Sequence, residues 1–117
     1  MENHKLVLRG DLNQNGYLYG GNLLKWIDEI SWIAATLDYP ESSLVTISLN
    51  EVLFKKSIKE GTILKFVINK VKQGTTSVQY YVEVFCCTKC HQNNDIVFST
   101  HITFVNVDEN GNKKPLI

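Results

Sequence analysis

The sequence contains one segment with helical periodicity, and elsewhere its apolar residues alternate with polar ones. This combination is the strongest constraint on the fold. Apolar residues recur at spacings of three and four from Gly21 to about Leu37, which predicts a helix. Asn22 is the predicted N-cap, and Pro40 follows the end of the pattern. The polar arc of this helix holds only Lys25, Glu29 and Thr36. A helix that is apolar around most of its circumference has to be enclosed by other elements.

After Pro40 the apolar residues alternate with polar ones, as they do in half-buried strands. Strands are predicted around 45–54, 64–68, 78–86 and 96–104, with a bulge near 50–51, and the pattern allows a short strand at 6–9. Because the connections at 73–74 and 92–94 have hairpin length, neighbouring strands should be antiparallel. The predicted fold class is α+β, with one long helix wrapped by a curved antiparallel sheet. Its unpaired strand edges favour a homodimer or a higher multiple.

Length and charge exclude several classes of protein. A chain of 117 residues is long enough for one packed core, so residues 1–117 are predicted to form a single domain. Twelve basic and twelve acidic side chains give a formal net charge of zero, which disfavours nucleic acid and acidic membranes as partners. No apolar run reaches the roughly 20 residues of a membrane span, and the first residues lack a secretory pattern. A cytoplasmic protein is expected.

The three cysteines are crowded into one segment, as Cys86, Cys87 and Cys90. Together with His91, the Cys87-x-x-Cys90 pair resembles half of a zinc site, but a second pair of ligands is missing from the chain. An odd number of cysteines in one segment also differs from a disulfide scaffold. Reduced thiols near a hairpin are therefore expected, with zinc as the alternative, and no metal site is predicted.

Two glycines, Gly20 and Gly21, mark the entrance of the helix. Backbone N–H groups at a helix start are free of intrahelical partners, and the helix dipole adds positive charge there. Such a site can hold an anion or a developing oxyanion. The alternative is that the glycines serve tight packing or a turn. The sequence leaves both interpretations open.

Asp28 is the most informative charged residue of the helix. It lies at the margin of the apolar arc and away from Lys25, whereas Glu29 lies on the polar arc. A carboxylate that is partly removed from water and has no neighbouring cation is suited to proton transfer. The small side chains of Ser31 and Ala35 would leave room for a ligand beside it. The alternative, equally open, is an interface carboxylate that a partner subunit satisfies.

Several segments together resemble one known family. The first runs Asp11-x-Asn13-x-x-Gly16-x-x-Tyr19-Gly20-Gly21-x-Leu23-Leu24-x-Trp26-Ile27-Asp28-Glu29. The later ones are Val45-Thr46, Phe54, Gly74-x-Thr76-Ser77 and Phe104-Val105-x-Val107-Asp108-Glu109-x-Gly111. In this combination the chain resembles the hot-dog-fold acyl-CoA thioesterases of the cytosolic acyl-CoA hydrolase type.

The resemblance implies a fold, an assembly and a reaction. The fold is a long helix wrapped by an antiparallel sheet, and the assembly is an obligate dimer, often built into trimers of dimers, with active sites at the subunit interface. The reaction is hydrolysis of an acyl-CoA thioester without a cofactor. The family places its catalytic carboxylate at Asp28 and binds the thioester carbonyl with the backbone at Gly20 and Gly21, and a residue of the Asn13 motif assists.

Further substrate contacts are predicted at Tyr19, Lys56, Thr76 and Ser77. The chain departs from the family at three places, with Thr75 for a common Arg, Lys56-Ser57 for Arg-Pro and Asn50 for an acid. Lys56 keeps a positive charge but lacks the bidentate fork of arginine, which bears on contacts to coenzyme A phosphates. Whether Asp28 acts as a base or as a nucleophile stays open. The alternative function is a non-catalytic acyl-CoA or lipid-binding module on the same fold.

Overall fold

The computed structural model describes residues 1–90, 92 and 94–117 and has one long helix packed against one sheet. The helix, α1, comprises Gly20–Asp38. The strands are β1 (Glu2–Leu6), β2 (Leu44–Phe54), β3 (Ile63–Gln73), β4 (Ser77–Cys86) and β5 (Asp95–Asn106). The sheet order is β1-β3-β4-β5-β2 with all neighbours antiparallel, so β1 and β2 are its edges. The predicted α+β class is confirmed.

One face of the sheet packs against α1 and forms the core. Phe66 of β3 lies opposite Val84 of β4, which lies opposite Phe98 of β5, and all three are fully buried. Leu23 and Ile27 of α1 belong to the same buried cluster. Alternate residues of a strand point to one face of the sheet, and this is why the period-two pattern located the core.

The sheet encloses only one side of the helix. On α1, the side chains of Trp32 and Leu37 are 43% and 72% exposed. The prediction of an enclosed helix is therefore wrong for a single chain, because one sheet can cover only one side of a helix. The remaining apolar surface of α1 is available for another molecule.

Both predictions about the start of the chain need correction. The first strand lies at Glu2–Leu6 rather than at 6–9, and Arg9–Asp11 form a 3₁₀ turn. The turn forms because Asp11 Oδ2 accepts the Leu8 amide hydrogen at 2.9 Å. The N-cap of α1 is Tyr19, whereas Asn22 lies inside the helix and its Nδ2 donates to the Asp11 carbonyl at 3.1 Å.

The bulge predicted near 50–51 is confirmed in β2. Its pairing with β5 shifts register between Asn50 and Leu53 and a second time between Thr46 and Ser48. Glu51 takes a φ of 58°, an uncommon conformation for a residue with a side chain. Such extra residues bend a strand and increase its twist.

The cysteine segment differs from its prediction. Cys86 and Cys90 form a disulfide, with their Cα atoms 6.0 Å apart, so the expectation of reduced thiols is wrong for this pair. The two meet because the chain turns directly after β4, where Lys89 has a φ of 59°. A disulfide sulfur has no thiolate to offer zinc, so the Cys87 and Cys90 ligand pair is not formed. His91, the third residue of that alternative, lies outside the described residues.

Within residues 1–90, 92 and 94–117, no helix combines the length and the apolar character needed to cross a membrane.

The end of α1 is tied to the sheet by a tyrosine and a carboxylate. The Tyr80 hydroxyl donates to Asp38 Oδ2 at 2.7 Å, and the tyrosine is almost completely buried. Burial, together with the hydrogen bond to Asp38, raises the pKa of Tyr80 far above its usual value of 10.0. The phenol therefore stays neutral in the folded chain at pH values where an unfolded tyrosine ionises.

We expect Tyr80→Phe to lower the free energy of unfolding by about 1.5–3 kcal/mol near neutral pH, because a hydrogen bond to a charged group is lost. Since the pKa is raised in the folded state, the contribution of Tyr80 is complete below pH 10.0 and is lost as the pH rises above it. Urea unfolding from pH 7 to about pH 11 should show the gap between wild type and variant shrinking above pH 10. A gap that stays constant over this range would contradict the contact. Tyr17→Phe, at an exposed position, is the control.

Candidate active site

The loop that leads into α1 is organised by Asn13. Its Oδ1 accepts hydrogen bonds from the amides of Asn15 and Tyr17 at 2.9 and 3.2 Å. Gly16 has a φ of +83°, a conformation that suits glycine. The amide oxygen of Asn13 is therefore committed to the turn. Its NH₂ group, which has no partner among the described residues, is the part left to contact a ligand.

A groove of about 500 Å³ opens between this loop, the start of α1 and the end of β2. We call it the entrance groove, and its lining includes Asn13, Tyr17, Gly20, Phe54 and Lys56. The Phe54 ring lies against Gly20, where an added Cβ would come within 3.0 Å of its Cζ atom. Glycine at this position lets the aromatic ring approach the helix backbone closely.

The first amides of α1 are uncapped beside this groove. Tyr19 supplies no side-chain cap, and in the described part of the chain neither the Gly20 nor the Gly21 amide hydrogen has a partner. The Tyr19 ring instead packs over Gly21, where an added Cβ would lie 2.6 Å from its Cε2 atom. The glycine pair thus allows close packing of two aromatic rings and also leaves N–H groups open. The packing interpretation of the pair is therefore confirmed, and the anion-binding interpretation stays a prediction.

Asp28 lies further along α1, at a half-buried position. Its Oδ1 accepts a hydrogen bond from the Thr46 hydroxyl of β2 at 2.6 Å, which fixes the direction of the carboxylate. Ser31 and Ala35 are fully buried in the core, so the predicted room for a ligand beside them is absent. Thr46 was not predicted as a site residue, although the Val45-Thr46 pair is part of the resemblance.

The entrance groove and Asp28 are separated within one chain. Asp28 follows Gly20 by eight residues, which is about 12 Å along the helix at ~1.5 Å per residue. Asp28 is also not among the residues that line the entrance groove. One chain therefore holds two partial sites, the uncapped amides at the start of α1 and the Asp28–Thr46 pair near its middle.

The predicted substrate-binding residues divide between these two partial sites. Tyr19 and Lys56 belong to the groove end, and Lys56 Nζ forms an ion pair with Asp95 at 2.7 Å. Ser77 pairs with Val105, which pairs with Val45, the residue before Thr46. Ser77, the first residue of β4, and Thr76 before it therefore lie at the Asp28 end of the sheet. No single chain brings all four together.

The edge strand β2 carries an apolar surface next to both partial sites. We call it the apolar edge, and its residues are between 37% and 62% exposed. They are Val45, Ile47, Val52, Leu53 and Phe54. Trp32 lies beside it and donates its Nε1 hydrogen to the Leu44 carbonyl at 3.0 Å. An unpaired edge with this much exposed apolar surface is typical of an interface.

Comparison with known proteins places the chain in a family. The family model of the thioesterase superfamily matches residues 15–88, which contain the glycine pair, Asp28 and Thr46. This chain belongs to the thioesterase superfamily. A thioesterase relative from Bacillus subtilis, the uncharacterized acyl-CoA thioester hydrolase YkhA, is 31% identical over 108 residues. The match covers 91% of this chain and 61% of YkhA, so the chain spans less than two thirds of that relative.

Solved thioesterase structures match almost the whole chain. The acyl-CoA hydrolase of Staphylococcus aureus, in complex with butyryl coenzyme A, coenzyme A and coenzyme A disulfide, has a TM-score of 0.86 and 30% identity. The match covers 99% of this chain and 70% of that one. Further structures of that hydrolase carry alanine in place of an asparagine, an aspartate or a threonine.

A hexameric hotdog fold thioesterase of Campylobacter jejuni has a TM-score of 0.83 and 32% identity to this chain. Here the match covers 97% of this chain and 87% of that one. The hot-dog fold predicted from the sequence is therefore confirmed, as is the resemblance to acyl-CoA thioesterases.

Proposed function

We propose that this protein hydrolyses an acyl-CoA thioester to a carboxylic acid and coenzyme A, at a site that two copies of the chain complete. The observation that carries the proposal is the pair of partial sites on one helix. Uncapped amides at Gly20 and Gly21 can stabilise an oxyanion. A half-buried carboxylate, oriented by Thr46, lies about 12 Å further along the helix, too far to act on the same carbonyl carbon.

A second copy that pairs along β2 would close this gap. In antiparallel pairing about a two-fold axis near Asn50, the Thr46 segment of one chain faces the Phe54 segment of the partner subunit, since the two segments lie on opposite sides of the bulge. Asp28 is bonded to Thr46, and Phe54 covers Gly20. The same pairing therefore brings Asp28 of one chain toward the helix entrance of the other. The two-fold symmetry repeats this arrangement, so a dimer would have two sites.

The apolar edge supports this assembly. Pairing along β2 would cover exposed apolar side chains and satisfy the free backbone groups of an edge strand. The helix surface around Trp32 lies next to this edge and would be covered as well. Related thioesterases of known structure are hexameric, which favours a homodimer that assembles further into a trimer of dimers.

The proposed reaction follows from the residues of the composite site. The thioester carbonyl oxygen accepts hydrogen bonds from the amides at Gly20 and Gly21. Asp28 takes a proton from a water molecule whose oxygen bonds to the carbonyl carbon, and the C–S bond then breaks and the thiolate takes up a proton. Direct attack by Asp28, with an anhydride that water hydrolyses, uses the same geometry. The NH₂ group of Asn13 is the proposed further donor beside the carbonyl.

The remaining predicted residues are proposed to hold coenzyme A. Tyr19 offers an exposed ring at the helix entrance, and Lys56 offers a charge at the wall of the groove. Lys56 would have to exchange part of its contact with Asp95 for a phosphate. Thr76 and Ser77 lie at the Asp28 end and would reach the same substrate from the other subunit.

Variants of the Staphylococcus aureus hydrolase support these assignments. The asparagine and the aspartate replaced in that protein are fifteen positions apart, as Asn13 and Asp28 are. Its replaced threonine follows the aspartate by seventeen positions, and Thr46 follows Asp28 by eighteen. The three residue types thus recur in the same order at almost the same spacing.

We expect Asp28→Asn to fold normally and to lose about 10²–10⁴-fold in kcat, because the variant cannot accept the proton. Release of free thiol from short, medium and long acyl-CoAs measures the loss, and calorimetry with coenzyme A measures binding. Glu29→Gln, at the neighbouring exposed position, is the matched control. Full activity of Asp28→Asn would remove Asp28 from the mechanism. Binding without thiol release by the wild type would favour the non-catalytic module.

A second pair of variants tests the amides. Gly20 is the first residue of α1, a position where proline fits the helix and removes the N–H group. The extended Tyr19, with a ψ of 127°, is compatible with a following proline. We expect Gly20→Pro to lose about 10²–10³-fold in kcat. Gly20→Ala places the same Cβ against Phe54 but keeps the donor, so it should retain most activity. Equal losses in both variants would show a steric effect instead.

A further inference from the structure

A second cavity lies behind the wall of the entrance groove, and the proposed hydrolysis does not use it. We call it the basic pocket; its volume is about 310 Å³. Its lining includes three lysines, one threonine and both halves of the disulfide, namely Lys56, Lys59, Lys89, Thr62, Cys86 and Cys90. The chain segment 56–58 lines both the basic pocket and the entrance groove, so the two cavities share a wall.

The charge of the basic pocket favours an anion. Asp95 is the only carboxylate that lines it within the described part of the chain, and Lys56 pairs with this carboxylate. Lys89 Nζ donates to the Glu60 carbonyl at 3.3 Å, which leaves its charge uncompensated. Neither Lys89 nor Lys59 forms an ion pair among residues 1–90, 92 and 94–117. Within the part of the chain that the structure describes, two positive charges of the pocket therefore have no counter-charge.

Thr62 adds an independent indication of a ligand. Its side chain is only 1% exposed and lines the basic pocket, and its hydroxyl has no hydrogen-bond partner among the described residues. Buried hydroxyls in folded proteins nearly always have a partner. The combination of this hydroxyl with uncompensated lysines fits an oxygen-rich anion such as a phosphate.

The disulfide gives the basic pocket an electrophile. Cys86 is 5% exposed, whereas Cys90 is half-buried, so Cys90 is the more accessible sulfur. A thiolate attacks an accessible disulfide sulfur through a mixed-disulfide intermediate. Cationic surroundings raise the local concentration of an anionic attacking thiol. The basic pocket thus contains both an exchangeable S–S bond and lysines that can bind an anion.

We propose that the basic pocket binds an anionic low-molecular-weight thiol, and that this thiol undergoes thiol–disulfide exchange with the Cys86–Cys90 disulfide. The sulfur of the incoming thiolate bonds to Sγ of Cys90, and the bond between Cys90 and Cys86 breaks. The electron pair leaves on Sγ of Cys86, which then takes up a proton. The incoming sulfur is oxidised and Cys86 is reduced, so no further oxidant is needed.

Coenzyme A is the first thiol to test, because it carries phosphates and is a product of the proposed hydrolysis. This identification rests on the proposed function, whereas the exchange itself does not. Glutathione is an anionic thiol whose charges are carboxylates, and 2-mercaptoethanol is uncharged. The three thiols therefore distinguish phosphate recognition, general anion recognition and simple reduction of the disulfide.

The experiment uses the full chain, purified without reductant and treated with diamide. Intact-mass spectrometry follows the mixed disulfide over time, and alkylation identifies the released thiol. We expect coenzyme A to be attached at Cys90, with a free thiol at Cys86. The double variant Lys59→Gln, Lys89→Gln should slow exchange with coenzyme A about tenfold and leave exchange with 2-mercaptoethanol unchanged. Lys72→Gln, at the exposed far end of β3, is the charge control.

The cysteine variants make the outcome decisive. Cys90→Ser should abolish the adduct, and Cys87→Ser should leave it unchanged. The proposal is overturned if diamide leaves Cys86 and Cys90 both open to alkylation, or if the lysine variants slow both thiols equally. Asp28→Asn should exchange like the wild type. A wild type that exchanges thiols but hydrolyses no acyl-CoA would therefore contradict only the proposed function.

Discussion

A single apolar helix packed on a single sheet is the constraint on which the rest of this structure depends. The sheet covers one side of α1, and burial of that side supplies the core. The other side stays exposed, and on it Trp32 lies next to an edge strand that is also apolar. Both features are costly for an isolated chain, and the proposed pairing of two copies along β2 would remove both.

The geometry of the helix also separates the groups that are proposed to act in the reaction. A helix start offers amide hydrogens and positive potential, while a carboxylate near the middle of the helix can be held by a neighbouring strand. Because these groups lie about 12 Å apart on one helix, a single chain cannot aim both at one carbonyl carbon. In the proposed pairing two antiparallel copies can, because the hydrogen bond between Thr46 and Asp28 and the packing of the Phe54 ring against Gly20 link the β2 register to the site. The proposed assembly and the proposed activity would thus have one structural origin.

Sequence periodicity predicted the helix, the antiparallel strands and the bulge near Asn50, because each depends on local spacing or on alternation along a strand. It failed where a side chain bonds to a backbone group, as for the Asp11 turn and for Asn22, and where a turn joins two sulfurs, as for Cys86 and Cys90, because hydrophobic periodicity does not report such bonds. Asp28 was found from its place on the helix wheel, but Thr46 was not, since its contact crosses eighteen residues. The single domain and the cytoplasmic location stay predictions.

The central claim is that Asp28 and the Gly20–Gly21 amides of different chains act together. Mixed oligomers of two inactive proteins test it most directly. Asp28→Asn and Gly20→Pro, each inactive alone, are to be co-expressed with different tags, purified through both tags and assayed for thiol release from an acyl-CoA. In a mixed dimer, one of the two sites receives a wild-type Asp28 and wild-type amides, so we expect about half of the wild-type activity per dimer. A mixed dimer that is as inactive as its parents would contradict the claim.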